Sequence, residues 1–234
     1  MRYSLNSIKH FLAAHSARKN LVLTSLVVFL FVAVCLAASW GTTTASVIQP
    51  RQLMLKWGDN KTAFSEKKWQ SALNKLHAAI EDNPNNAEHY FDLARLYDWN
   101  AYQKAIWADD AIKHRTQAIK YYKKSLEYRP TWSTAWVNLA MSKTLNLEFG
   151  DEVKTALSNA MTYGPWERGV FHKVLWISLA NWKGLPLSLQ EQVKARIKET
   201  VTPKGWVPKY IQQMATHFQW QEELEQVIKE VVSH

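Results

Sequence analysis

The hydrophobic pattern falls into two regimes. From Leu21 to Ala38 (LVLTSLVVFLFVAVCLAA) there are 18 residues without a charge, about 27 Å at helical rise and close to a hydrocarbon core of roughly 30 Å. Beyond residue 65 the apolar positions instead recur with helical periodicity and are punctuated by prolines. Aligning Pro84, Pro130 and Pro165 places Ala72, Leu76 and Ala79, then Ala118, Tyr122 and Ser125, then Val153, Leu157 and Ala160 at common offsets of 12, 8 and 5 residues before each proline. On a helix these positions share one face. The small residues admit a partner helix, the large one fills the gap, and proline stops the helix.

The helix after each proline repeats as well. Tyr90, Leu93, Ala94 and Tyr97 follow Pro84; Trp136, Leu139 and Ala140 follow Pro130; Phe171, Val174 and Leu175 follow Pro165. Small, large, small, proline, then aromatic, Leu, Ala resembles the tetratricopeptide repeat, a 34-residue helix-turn-helix unit. The first unit shows only its second helix, Ser65 to Glu81, without a clear helix before it. The interval from Pro84 to Pro130 is 46 residues against 35 from Pro130 to Pro165, so about 12 residues are inserted around positions 98–117. Lys143 stands where the signature expects Tyr and puts the packing of that turn in question. Farther on, a helix is predicted over Gly169–Asn181. A second, opened by a capping box of Ser188 and Glu191, runs to about Val201. Two final amphipathic helices carry Tyr210, Ile211, Met214 and Phe218, then Leu224, Val227, Ile228 and Val231.

Charge changes how the first regime is read. The formal net charge is +9, and residues 1–20 supply four positive charges (Arg2, Lys9, Arg18, Lys19) with no acid. A basic flank before an apolar run predicts a cytoplasmic N-terminus and a domain on the far side of the membrane, periplasmic in a Gram-negative host. That placement removes nucleic acid as the expected partner. The long basic flank and long apolar run fit an uncleaved anchor better than a signal peptide, although Ala37-Ala38-Ser39 keeps cleavage open. Trp40 suits the interface, and Gly41–Pro50 reads as a linker. Cys35 is the only cysteine and behaves as an apolar residue of the span.

The chain carries no Gly-rich phosphate loop, nucleophile elbow or paired-histidine zinc motif. No cofactor or metal is expected, and the protein reads as non-enzymatic. Asp109, Asp110 and His114 are the one titratable group with useful spacing; an ordinary intrahelical pair is the simpler account of it. The 12 tryptophans say more. Trp136 and Trp69 belong to repeat helices, whereas Trp99 and Trp107, with Tyr102, fall in or beside the insertion, where aromatic faces could stack on sugar rings or dock peptide anchors. In the repeat frame Glu88, Phe91, Arg95 and Asp98 should face the groove where repeat proteins bind partners. The full Lys and Asn set of the two-carboxylate clamp is lacking there.

The passages KKWQSALNKLHAAIEDNPNNAEHYFDLARLYDW and YRPTWSTAWVNLAMSK, after an N-terminal apolar segment, resemble the VpsP-type proteins of bacterial exopolysaccharide clusters over about Lys19 to Val201. The resemblance implies an inner-membrane accessory protein for synthesis, polymerisation or export of polysaccharide. Its partners would be membrane-embedded synthesis or export proteins, or the polysaccharide itself. The expected architecture is all-α: a basic tail (1–20), a transmembrane helix (21–38), a linker (39–50), a tetratricopeptide-repeat-like α-solenoid (51–201) and capping helices (202–234).

Overall fold

The structure, a computed structural model, describes the backbone of residues 5–59 and 61–233 and the side chains of residues 19–20, 22–35, 47–59 and 61–233. Among the described residues all regular structure is helical: α1 (Leu5–Gly58), α2 (Glu66–Asp82), α3 (Ala87–Tyr102), α4 (Asp109–Tyr128), α5 (Ser133–Leu145), α6 (Asp151–Tyr163), α7 (Arg168–Ala180), a 3-10 turn (Trp182–Gly184), α8 (Leu187–Lys198), α9 (Lys209–His217) and α10 (Gln221–Val232). The chain divides into two compact units, residues 1–48 and 49–234.

In the first unit, Val22, Leu23, Leu26, Phe29, Phe31 and Val34 of α1 are all exposed, as is Cys35. Side chains of Leu21 and residues 36–38, and those of Arg2, Lys9, Arg18 and Trp40, lie outside the described residues. Among those described, no helix is long and apolar enough to cross a membrane. Residues 41–50, read as a linker, are helical, and Pro50 sits inside α1, where it removes one ladder hydrogen bond.

The second unit is built by the repeat pattern. Each of α2 to α7 packs against its neighbour in the chain, and α5 also packs against α7. All nine small-large-small residues are buried. Helices α2, α4 and α6 end at Asp82, Tyr128 and Tyr163, two residues before their prolines, because the residue before proline is pushed out of the helical region. The aromatic that follows secures each turn. Tyr90 Oη donates to Pro84 O at 2.8 Å and Trp136 Nε1 to Pro130 O at 2.7 Å, satisfying a carbonyl that has no helical partner. Phe171, with no donor, packs into the core instead. At the third turn Gly164 lies so close to α5 that a Cβ there would meet Ser133 Cβ at 2.5 Å.

Three sequence expectations change, and the insertion acquires a form. The first repeat does have a leading helix: residues 49–58, the end of α1, carry the buried Met54 and Trp57 and place Trp57 against Phe64 and Trp99. The insertion, whose form the spacing left open, is mostly helical. It lengthens α3 to 16 and α4 to 20 residues, against 13 each for α5 and α6, and leaves only residues 103–108 between them. Lys143 does not loosen its turn: it is buried and reaches Glu148 at 2.6 Å and Glu152 at 3.1 Å, and Glu152 in turn pairs with Lys123 of α4. The predicted capping box does not form. Pro186 precedes α8 without a side-chain cap, and Ser188 lies inside the helix, where proline's fixed φ already suits a helix start.

Candidate partner-binding groove

The α3 face that carries the predicted groove residues meets α4, α5 and α7 at a cavity of about 170 Å3 lined by Arg95, Asp98, Trp99, Tyr102, Tyr122, Asn138, Met141 and Lys173. Asp98 forms its floor. It is buried and accepts hydrogen bonds from Tyr122 Oη at 2.8 Å and from Ser142 Oγ at 2.9 and 3.0 Å, tying α3 to α4 and α5. Burial pushes its carboxyl up to about 6, against the pull of these hydroxyls and of Lys173 and Arg115. The same burial raises the Tyr122 phenol.

The wall is cationic. Lys173 of α7 donates to the side-chain oxygen of Asn138, and among the described residues no carboxylate lies within ion-pair distance of it. Desolvation lowers its pKa, opposed by the charge of Asp98. Arg95 sits 3.6 Å from Asp92 and over the Phe91 ring. Below, Arg115 is held by Asn146 at 2.6 Å and by the carbonyl of Ile106. With Arg51, Arg95, Arg115 and Lys173 set against Glu88, Asp92 and Asp98, the site and its immediate partners keep an excess of one positive charge, which favours negative charge. Trp99 and Tyr102 add an edge-to-face pair, centroids 6.2 Å apart, at the rim.

Of the seven candidate binding residues, four assigned to the groove and three to the insertion, Arg95, Asp98, Trp99 and Tyr102 are thus brought together. Three are elsewhere. Phe91 is a core residue, 4.3 Å from the Trp132 ring and 5.7 Å from Tyr122, because its position coincides with the gap between α3, α4 and α5. Glu88 is engaged by Arg51 at 2.9 Å, which also binds the buried Asp92. Trp107 is exposed on the loop after α3 and does not line the cavity. The reading missed Asn138, Lys173, Tyr122 and Ser142. A signal for two of them existed: the position eight residues after each proline is Asp92, Asn138 and Lys173, polar every time beside core positions. With Arg51 they make two separate polar pairs, Arg51 with Asp92 between α1 and α3 and Lys173 with Asn138 between α7 and α5.

The Asp109, Asp110 and His114 group does not assemble. Asp110 pairs with Lys113 at 3.6 Å, while His114 stacks edge-on against Trp69 and beside Tyr97, where burial lowers its pKa. No group of three potential metal ligands occurs among the described residues.

The chain matches no protein-family model and no curated protein. Among solved structures it is similar to the crystal structure of MamA, with 14% identity and a TM-score of 0.46 over 72% of this chain and 89% of that one. A likeness that remote does not bear on function.

Proposed function

We propose that the protein is a non-enzymatic scaffold, anchored in the bacterial inner membrane by residues 21–38, whose periplasmic helical domain holds a polysaccharide synthesis or export protein through the α3/α5/α7 cavity. The observation that carries this reading is the open cationic cavity over Asp98: a preformed concave site with charged and aromatic walls on packed helices, suited to gripping an acidic segment of a partner. Anchoring is supported by the uncharged, exposed run of α1, whose side chains need an apolar surrounding. Confinement to the bilayer would raise the local concentration of scaffold around a membrane-embedded partner. The link to exopolysaccharide rests on the resemblance of residues 19–201 to VpsP-type proteins.

The test is genetic. Deleting the gene in a producer strain is expected to lower polymer amount or shorten chains, and the Arg95→Glu/Lys173→Glu variant is expected not to restore them although it accumulates normally. Unchanged polymer in the deletion strain would refute the reading. A second reading, direct glycan binding, is favoured by the Trp99 and Tyr102 pair at the rim, since aromatic edges and faces accept sugar rings. It predicts quenching of Trp fluorescence by purified polymer that is lost in Trp99→Ala. No response at millimolar repeat-unit concentration removes it.

A further inference from the structure

The end of α7 with its 3-10 turn, the turn between α9 and α10 and the loop that carries Phe149 enclose a cavity of about 350 Å3, within the size of small-molecule sites. It shares no lining residue with the groove above Asp98. Rings make up much of its wall: Phe149, Trp182 and Phe218 are half-buried and Trp220 is buried. Trp220 meets Trp182 edge-on with centroids 5.0 Å apart, and Trp176 meets Phe218 in the same way at 5.6 Å. These contacts fix the rings in advance, so a ligand orders few side chains on binding.

The polar side chains of the same wall lack partners. Lys183, Gln219 and Glu223 have no side-chain hydrogen bond or ion pair among the described residues. Asn181 donates through Nδ2 to Ile177 O at 2.9 Å, which leaves its side-chain oxygen to accept. Gln219 is also strained. It follows the last residue of the α9 cap with φ 55, and the Trp220 N–H closes the turn onto Ala215 O at 2.8 Å. Glycine fills that position without steric cost, whereas glutamine is held there against its backbone preference. Strain of this kind gathers at ligand-binding positions.

The chemistry of the wall narrows the ligand. One cation, Lys183, and one acid, Glu223, cancel, so the cavity, unlike the groove, does not select an ion. The ammonium donates, the carboxylate accepts and the Gln219 amide does both. An apolar peptide anchor would fill the space beside the rings and leave these groups unpaired. A pyranose meets both demands, with C–H faces for the rings and hydroxyls, each donor and acceptor, around its edge.

We propose that this cavity binds a neutral saccharide unit, packed against Trp182 and Phe218 with its hydroxyls on Lys183, Gln219 and Glu223. The site is distinct from the Trp99 and Tyr102 rim, and the inference rests neither on the scaffold role nor on the membrane anchor.

The test is saturation-transfer NMR on the full chain in a detergent without sugar headgroups, with maltotetraose, cellotetraose and mannotetraose at millimolar concentration as probes. At least one tetrasaccharide should take up saturation on its ring C–H protons, and Trp182→Ala should abolish it. Since Trp182→Ala also disturbs the packing on Trp220, Gln219→Gly separates binding from folding. Relief of the positive φ should leave the melting temperature unchanged or raised, while loss of one hydrogen bond weakens saccharide binding about fivefold. Trp99→Ala should bind as the unaltered chain does. Silence of all three tetrasaccharides overturns the proposal, as does undiminished binding by Gln219→Gly. Loss of binding in Trp99→Ala overturns it as well and moves the saccharide to the other rim. Saturation of acetyl-leucyl-phenylalanine amide that weakens in Gln219→Gly, with the saccharides silent, marks a peptide site instead.

Discussion

Replacing Asp98 by Asn makes a sharp test of how the groove floor is built. The carboxyl titrates near 6 in the folded chain, against an ordinary aspartate value of about 3.9. A raised carboxylate pKa means that between those two values the folded state holds a proton that the unfolded state has lost. Stability from this group is therefore greatest below pH about 4 and falls as pH rises towards 6. Two pH units correspond to about 3 kcal/mol. Asn keeps an oxygen to accept from Tyr122 and Ser142 but cannot ionise, so the variant lacks this slope. Urea unfolding of the full chain in non-ionic detergent, followed by helical circular dichroism from pH 4 to pH 8, supplies the difference between the two proteins. That difference should move by about 2 kcal/mol in favour of Asp98→Asn between pH 4 and pH 7. Parallel pH profiles, or a shift in favour of Asp98 as pH rises, would refute the burial argument.

Three further outcomes follow from the packing. Gly164→Ala forces a Cβ to 2.5 Å from Ser133 and should cost about 1–3 kcal/mol in thermal or urea unfolding; an unchanged melting temperature would contradict the close approach of α6 and α5. Tyr90→Phe removes the hydrogen bond to Pro84 and should cost about 1 kcal/mol, whereas a change within about 0.3 kcal/mol would assign that turn to apolar contact alone. Leu157→Ala, at a fully buried repeat position, should cost about 2–5 kcal/mol, and a loss below about 1 kcal/mol would mean that the repeat face is not the core.

The repeat face was legible because steric rules repeat with the unit: small residues at Ala72, Ala79, Ala118 and Ala160 can only serve close helix approach, and each proline marks a helix end. The leading helix of the first repeat was not, because Pro50 reads as a boundary and only Met54 and Trp57 show a helical spacing. Arg51 gave no sign of its role. Its partners, Glu88 and Asp92, lie 37 and 41 residues away. The groove was half legible. Helical phase placed Glu88, Phe91, Arg95 and Asp98 on one side of α3, but a single helix cannot say which of its residues the next helix covers, and Phe91 is covered by Trp132. Asn138 and Lys173 required comparison of the units at one offset, where a recurring polar residue amid apolar neighbours marks an inner face. The form of the insertion was not legible from its length, which does not distinguish a loop from two longer helices; the run from Ala111 to Leu126 keeps helical periodicity throughout.

The central claim, that the cavity above Asp98 is where a membrane-bound partner is held, is tested most directly by photocrosslinking in intact producer cells. A photoreactive amino acid replaces Tyr102, which is exposed at the cavity rim, or Lys204, which is exposed on the loop before α9, with adducts identified by mass spectrometry. The account predicts a discrete adduct from position 102 to a polysaccharide synthesis or export protein, absent from position 204 and lost when Arg95→Glu/Lys173→Glu is added. No adduct from position 102, or the same adducts from both positions, would contradict it.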